Sequence, residues 1–253
     1  MLRVLRVSGT EVAVLENLEA EGITDVRSLK RYLEPRCSAT RFRQRLVKDQ
    51  VGTLDDAELL SARLTLQLIL VPFTSASRQE VDELLSAAKD GWSGQAEQIL
   101  QRPQDPNVTS DDAGHMPLHL AAQGGHLEVA RLLLEGGARK DLLSRVAPLD
   151  APMHLAALCN RAEIIQELLE WGDIPDRLNG LRMTALHISA EHGHLPVARC
   201  LIRGLADVNR VFAGYATPYS LAKEGWHIDM QQLLVQAGAD RNLHLTLNPD
   251  DDD

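Results

Sequence analysis

A short phrase that returns four times at nearly constant spacing constrains this chain more than any other feature. Its copies are Pro117–Ala122 (PLHLAA), Pro152–Ala157 (PMHLAA), Ala185–Ala190 (ALHISA) and Pro218–Ala222 (PYSLA). The third residue of each copy stands at position 119, 154, 187 or 220, so the steps are 35, 33 and 33 residues. A period of this length is typical of stacked helical units, because one such unit does not bury its own apolar face. We therefore expect an interaction protein rather than an enzyme.

Each copy of the phrase predicts the first of two helices. Thr184 and Thr217 stand where a capping hydroxyl belongs, and prolines occupy first-turn positions where a missing N–H costs nothing. Glycine or asparagine then predicts a turn, with Asn160 in the left-handed conformation. Apolar residues at helical spacing predict the second helices, at Leu127–Glu135, Ala162–Glu170, Pro196–Arg203 and Asp229–Gln236.

These phrases resemble the ankyrin repeat. Gly125–Val129 (GHLEV) and Leu205–Asn209 (LADVN) are close matches to its motif, and the resemblance covers residues 80–243. A degenerate earlier unit at Val81–Asn107 begins among charged residues, as a terminal capping unit does. We expect an all-α solenoid of about five units. The resemblance implies that the recurring histidines bridge backbone groups between loops, and that Ser220 leaves the last unit more loosely bonded.

The resemblance also implies that loop tips and first helices bind partner proteins. The candidate residues there are Arg139, Lys140, Arg145, Arg177, Arg182, Arg210, Phe212, Tyr215 and Trp226. The aromatic residues cluster by sequence near the last loop, and aromatic side chains beside arginine are typical of binding hot spots. The alternative is that the cations keep the loops soluble and the aromatics seal the terminal repeat.

The first seventy residues have a different periodicity. Alternation predicts strands at 2–7, 11–15, 40–48 and 64–73, an amphipathic helix at Asp25–Leu33 capped by Thr24, and a short helical turn at Leu54–Ala57. The order β-β-α-β-β resembles the ubiquitin-like (β-grasp) fold over residues 1–73, and Thr65–Leu70 (TLQLIL) resembles the last strand of ubiquitin (TLHLVL). No Gly-Gly tail follows, since the strand continues into Val71-Pro72-Phe73. We therefore expect a fixed module and not a conjugated modifier.

Strand parity predicts one outer face on this module. Its candidate partner-binding residues are Arg41, Arg43, Arg45, Val47, Gln67 and Ile69. The resemblance implies partner binding through the positions of Val47, Gln67 and Ile69. The alternatives are that this face docks on the first repeat, or that its arginines guard an exposed sheet.

Composition excludes several other function classes. The net charge of −10 argues against nucleic acid or an anionic membrane as partner. Three scattered cysteines and the absence of a signal-peptide core favour a reducing cytoplasmic or nuclear compartment, and the longest apolar run, 68–73, is too short to span a bilayer. No metal, nucleophile or phosphate-loop motif occurs, so we expect no catalysis, cofactor or small-molecule substrate.

The sequence thus predicts a multidomain chain: an α+β ubiquitin-like domain (1–73), a linker (74–79), an ankyrin solenoid (80–243) and an acidic tail (244–253). Three functions fit this organisation. The first is a protein-binding adaptor or scaffold. The second is a docking or substrate-recognition subunit of the ubiquitin–proteasome system, and the third is the non-catalytic front of a larger enzyme.

Overall fold

A computed structural model describes residues 1–48, 52–60, 64–102, 104–109, 114–145, 148–214 and 216–243. The predicted acidic tail, 244–253, lies outside these residues. By its tertiary contacts the chain divides into two compact units. The first consists of Met1–Ser77, Glu97–Pro106 and Glu135–Gly137, and the second of Arg78–Ala96, Asn107–Leu134 and Ala138–Asp253.

The first unit contains a five-stranded mixed sheet. Its strands are β1 (Leu2–Arg6), β2 (Glu11–Leu15), β3 (Gln44–Lys48), β4 (Gly52–Thr53) and β5 (Thr65–Leu70). They lie in the order β2-β1-β5-β3-β4, with β1 and β5 parallel and the other neighbours antiparallel. This sheet and the helix α1 (Val26–Cys37) confirm the predicted α+β layout of the N-terminal part.

Alternation along the strands sets which side of the sheet faces the core. Leu2 and Val4 of β1, with Leu66 and Leu68 of β5, are buried, whereas their neighbours in sequence are exposed or half-buried. The apolar stripe of α1 covers this face with the buried residues Val26, Leu29, Leu33 and Cys37. Burial of such side chains contributes about 1.5–3 kcal/mol each, so this core specifies the register of the sheet.

The start of α1 differs by one residue from the prediction. Asp25 is the N-cap, not Thr24, because its carboxylate accepts the backbone N–H of Ser28 at 2.8 Å. The Ser28 hydroxyl accepts the Asp25 N–H in return, which completes a capping box. The helix continues to Cys37 and includes Pro35, beyond the predicted end at Leu33. The predicted helical turn at Leu54–Ala57 is a turn without helix.

Five helix pairs occur in the part of the chain that the structure describes. They are α2 (Arg78–Asp90) with α3 (Ser93–Leu100), α4 (Pro117–Gly124) with α5 (Leu127–Glu135), α6 (Pro152–Leu158) with α7 (Ala162–Glu170), α8 (Ala185–Glu191) with α9 (Leu195–Arg203), and α10 (Pro218–Glu224) with α11 (Ile228–Gln236). The count of about five helical units is confirmed. The C-terminal parts of α3 and α5 belong to the first unit.

Local signals account for the repeated helix pairs. Thr184 and Thr217 are N-caps whose hydroxyls accept the backbone N–H three residues later, as predicted. The second helices bury an apolar stripe, for example Ile164, Ile165 and Leu168 of α7. No helix among the described residues has the length and apolar content needed to cross a bilayer.

Candidate functional site

The recurring histidines hold the loops in place through hydrogen bonds to backbone groups. The Nδ1 atom of His154 accepts the backbone N–H of Ala151 at 3.2 Å, and its Nε2 atom lies 3.0 Å from the carbonyl oxygen of Arg177. Since Nδ1 is an acceptor, Nε2 carries the proton and donates to that carbonyl. His187 bonds in the same way to Thr184 and to the carbonyl oxygen of Arg210, at 3.2 and 2.9 Å.

His119 braces the loop between α5 and α6. Its Nε2 atom lies 3.1 Å from the carbonyl oxygens of both Leu142 and Asp150. Burial lowers the pKa of His119 and of His187 to about 4, and burial is also the main cause that lowers the pKa of His154. All three rings are therefore neutral near pH 7. Their hydrogen bonds to loop carbonyls confirm the bridging role that the resemblance implied. Ser220 is their counterpart in the last unit, and among the described residues its hydroxyl bonds to Thr217 of its own cap.

Two of the six loop cations are paired within their own loops. Arg139 is exposed and binds Asp141, with Nη2 and Oδ2 2.8 Å apart. Arg177 is half-buried and donates from Nε and Nη2 to the buried carboxylate of Asp173, at 3.1 and 2.7 Å. The charge of these two arginines is therefore largely neutralised by acidic side chains of their own loops.

The other four loop cations, Lys140, Arg145, Arg182 and Arg210, have no acidic partner among the described residues. The three arginines are exposed and Lys140 is half-buried. Two acidic side chains of these loops, Asp176 and Asp207, accept backbone N–H groups instead, those of Asp207 and Asn209. Three successive loops therefore each present at least one cation to solvent.

The predicted aromatic cluster is only partly correct. Phe212 lies in the last loop, half-buried, with its ring edge-on to His187 at a centroid distance of 6.0 Å. Tyr215 lies outside the described residues. Trp226 follows α10, whereas Phe212 precedes it, so the two lie at opposite ends of a seven-residue helix about 10 Å long. The sequence clustering of Trp226 with the last loop was wrong because α10 separates them.

The sheet face of the first unit brings together four of its predicted residues. Val47 of β3 is opposite Gln67 of β5, and Arg45 is opposite Ile69. Gln67 and Ile69 are exposed, while Val47 and Arg45 are half-buried. Arg45 donates from Nη1 to the carbonyl oxygen of Phe42 at 3.0 Å, so it is already hydrogen-bonded.

Arg43 and Arg41 depart further from the predicted basic face. Arg43 is half-buried, donates to the carbonyl oxygen of Val71 at 3.0 Å and lies over the ring of Phe73. Arg41 is 0% exposed, so its predicted position on the outer face is wrong. The reason is local: residues Arg41–Arg43 form a 3-10 turn and β3 begins only at Gln44, so strand parity does not apply to Arg41.

Arg41 is the centre of a buried charge cluster inside the first unit. Its Nη1 atom lies 2.7 Å from a carboxylate oxygen of Asp56, its Nη2 atom 3.2 Å from Glu97, and its Nε atom 2.5 Å from Glu135. Lys30 reaches the other oxygen of Asp56 at 2.5 Å. These partners stand 15, 56 and 94 residues from Arg41 along the chain, so no local signal predicts the cluster.

No grouping of histidine, cysteine, aspartate and glutamate suited to holding a metal ion occurs among the described residues. The histidines are used by the repeated units themselves. In addition to the three loop braces, His126, His194 and His227 donate to backbone carbonyls of the preceding helix pair, those of Lys89, Leu158 and Glu191.

The family of the chain follows from a direct comparison. A family model described as ankyrin repeats (3 copies) matches residues 84–177 and 153–244, which together make up more than half of the chain. The chain belongs to the ankyrin-repeat family. Ankyrin repeats are modules for protein–protein interaction, which fits a surface made of braced loops.

Relatives of this ankyrin-repeat chain have diverse names. A rice (Oryza sativa subsp. japonica) protein named probable E3 ubiquitin-protein ligase XBOS32 is 29% identical over 195 residues, 62% of this chain and 38% of the rice protein. Human ankyrin repeat domain-containing protein 39 is 41% identical over 56 residues, 22% of this chain and 30% of that protein. Human transient receptor potential cation channel subfamily A member 1 is 37% identical over 142 residues, 52% of this chain and 13% of the channel. The chain thus spans less than two fifths of each of these relatives.

Proposed function

We propose that this chain is a non-catalytic adaptor that holds a partner protein on its ankyrin loop tips. The observation that carries the proposal is the set of four loop cations without an acidic partner among the described residues: Lys140, Arg145, Arg182 and Arg210. An arginine that is already paired gains little from a partner's carboxylate, whereas an unpaired one gains a new charge-assisted bond.

The bracing of the loops supports the same function. His154 holds the carbonyl of Arg177, and His187 holds that of Arg210. Backbone fixed in this way loses little conformational entropy when a partner binds, and this raises affinity. The buried, neutral rings have a structural use, so they supply no separate reason to propose catalysis.

The test compares two unpaired loop-tip cations with a paired one. A photo-crosslinking residue at position 182 of the full chain identifies the bound protein, and its affinity is then measured by interferometry. We expect Arg182→Gln and Arg210→Gln each to weaken binding at least fivefold, because each removes a free charge. The matched control, Arg139→Gln, should change it less than twofold because Asp141 already pairs with Arg139. Equal affinity for all three variants would contradict the proposal.

A second candidate function is docking on the ubiquitin–proteasome machinery through the sheet of the first unit. It is supported by the resemblance of residues 1–73 to the ubiquitin-like fold and by the mixed sheet with Val47 opposite Gln67. The name of the rice relative also points to the ubiquitin system. On this face Ile69 is exposed, and its side chain makes no hydrogen bond. An apolar partner surface would therefore cover it without breaking a hydrogen bond.

Substitutions on the same sheet separate this candidate from the adaptor function. Ile69→Asp and Val47→Asp should abolish co-sedimentation of the full chain with purified proteasome. Val14→Asp, on the edge strand β2 and similarly exposed, should leave it unchanged. If the unaltered chain does not co-sediment, or all three variants bind alike, docking through this face is excluded and the loop-tip proposal stands by itself.

A further inference from the structure

One residue per helix pair has a left-handed backbone at the turn that joins the two helices. The five equivalent residues are Gly91, Gly125, Asn160, Gly193 and Trp226, with φ between 55° and 80°. Glycine adopts this conformation without steric cost, and asparagine does so more readily than other residues. A tryptophan there is the exception, because a bulky side chain in the left-handed region costs about 1–2 kcal/mol.

Trp226 gains no packing in return for that cost. Its side chain is 84% exposed, and Ile228, two residues further on, is 55% exposed. The two side chains line an open groove of about 470 Å³ together with Ser220, Lys223, Glu224 and Gln231. The last turn therefore exposes a large aromatic and a branched aliphatic side chain side by side.

Acidic residues lie in and beside this groove. Glu191, Glu224 and Asp229 are exposed and make no ion pair with any described residue. Glu191 adjoins the turn, since its carbonyl oxygen accepts the Nε2–H of His227 at 2.9 Å. Of the charged residues that line the groove, Glu224 is acidic and Lys223 is basic, and Asp229 directly follows the lining residue Ile228. The three acidic residues in and beside the groove therefore outnumber Lys223.

We propose that this groove docks a basic segment of a partner protein. The guanidinium or ammonium group of the segment lies on the face of the Trp226 indole, and an adjacent aliphatic side chain contacts Ile228. A cation on a tryptophan face is attracted by the ring quadrupole, and the neighbouring carboxylates strengthen that attraction. Exposed tryptophan is also the residue type most enriched among binding hot spots.

This groove is distinct from the loop-tip surface and has the opposite chemistry. The loop before α10 carries Arg210 and Phe212, whereas the large apolar side chains of the groove, Trp226 and Ile228, follow that helix. The loop tips offer unpaired cations, whereas unpaired carboxylates lie in and beside the groove. One partner, or two, can therefore be held at two surfaces of opposite charge without competition.

The probes for the test are three fluorescent twelve-residue peptides that alternate leucine with arginine, glutamine or aspartate. Binding to the full chain is followed by fluorescence anisotropy and by the NMR signal of the Trp226 indole N–H. We expect the arginine peptide to shift that signal and to bind at least tenfold more tightly than the other two. Trp226→Gly should weaken its binding at least tenfold without loss of thermal stability, because glycine occupies the equivalent position in three other units.

Matched charge reversals exclude general attraction to an acidic protein. Asp229→Lys should weaken binding of the arginine peptide at least threefold. Glu163→Lys, at the same helical register of α7 and also exposed, should change it less than 1.5-fold. The proposal is overturned if both reversals act alike, if Trp226→Gly binds as tightly, or if the aspartate peptide is preferred. A Trp226-dependent dimer of the chain in sedimentation would also overturn it, because a second copy would then be the occupant.

Discussion

Removal of the Arg41 guanidinium should destabilise the first unit far more than removal of any surface cation. Arg41 is completely buried and bonds to Asp56, Glu97 and Glu135. In Arg41→Met an aliphatic stem of similar length remains, but three carboxylates lose their common counter-charge. Breaking a buried ion pair costs about 3–5 kcal/mol, because the carboxylates stay out of water and, among the described residues, keep only Lys30, Arg27 and Arg31 as cations. That is a large part of the roughly 5–15 kcal/mol by which a domain is stable.

The assay is urea unfolding of the full chain, with hydrogen exchange to locate the loss. We expect the free energy of unfolding in Arg41→Met to fall by at least about 3 kcal/mol, with faster exchange in β3 and α1. The matched control is Arg31→Met: Arg31 binds the same carboxylate of Glu135, but it is 51% exposed. Exposed pairs contribute about 0–1 kcal/mol, so this variant should stay close to the unaltered chain.

A neutral side chain in place of Glu135 should restore part of the stability lost in Arg41→Met. The double variant Arg41→Met, Glu135→Gln no longer has the Glu135 carboxylate, which loses its bond to Arg41 in the single variant. We therefore expect the double variant to be more stable than Arg41→Met alone. If Arg41→Met and Arg31→Met lie within about 1 kcal/mol of each other, the cluster is not the buried network inferred from its distances.

Two further outcomes follow from the repeated units. Burial holds the pKa of His119 and His187 near 4, below the ordinary 6.5, so between these pH values the unfolded chain binds protons that the folded chain does not. Stability should be full above about pH 6.5 and fall towards pH 4 by up to about 3 kcal/mol per histidine, and His187→Ser should flatten that slope in urea titrations. If the pH dependence of stability is the same in His187→Ser, the inference that the buried His187 ring is neutral is wrong. Leu205 is 86% exposed with φ 66°, where Gly137, Gly172 and Gly238 stand in other units. Leu205→Gly should therefore raise stability by about 1 kcal/mol in calorimetry. A melting temperature below that of the unaltered chain would show that the left-handed backbone at Leu205 is not strained.

The repeated helices were predictable because their signals are local. The cap at Thr184, the turn at Asn160 and the apolar stripe of α7 each depend on residues within one unit of about 33. The same is true of the sheet alternation in β1 and β5. The one-residue error at Asp25 arose because Thr24 is also a capping residue type, and sequence does not say which of two neighbours faces Ser28.

The candidate sites were predicted less well because they depend on distances in space. Sequence parity assigned Arg41 to an outer face because it treated Arg41–Arg43 as part of the strand, and partners up to 94 residues away gave no local signal against this. Trp226 was grouped with Phe212, although α10 separates them. The division of the loop cations into paired and unpaired was also not predicted. For Arg139 the nearby Asp141 was the signal that could have shown it.

In a repeat protein the equivalent positions of the other units serve as controls. They show whether an unusual residue in one unit has a structural or a functional explanation. Arg161 stands where His126, His194 and His227 stand in other units, yet it makes the same kind of bond, to the carbonyl oxygen of Gln123 at 3.2 Å. That departure is structural, because the bond is replaced. Trp226 replaces glycine and gains neither burial nor a side-chain bond among the described residues, so the fold does not account for it. A departure that costs stability and makes no internal contact is best explained by a contact outside the chain, and this directs the search for a partner to the last turn.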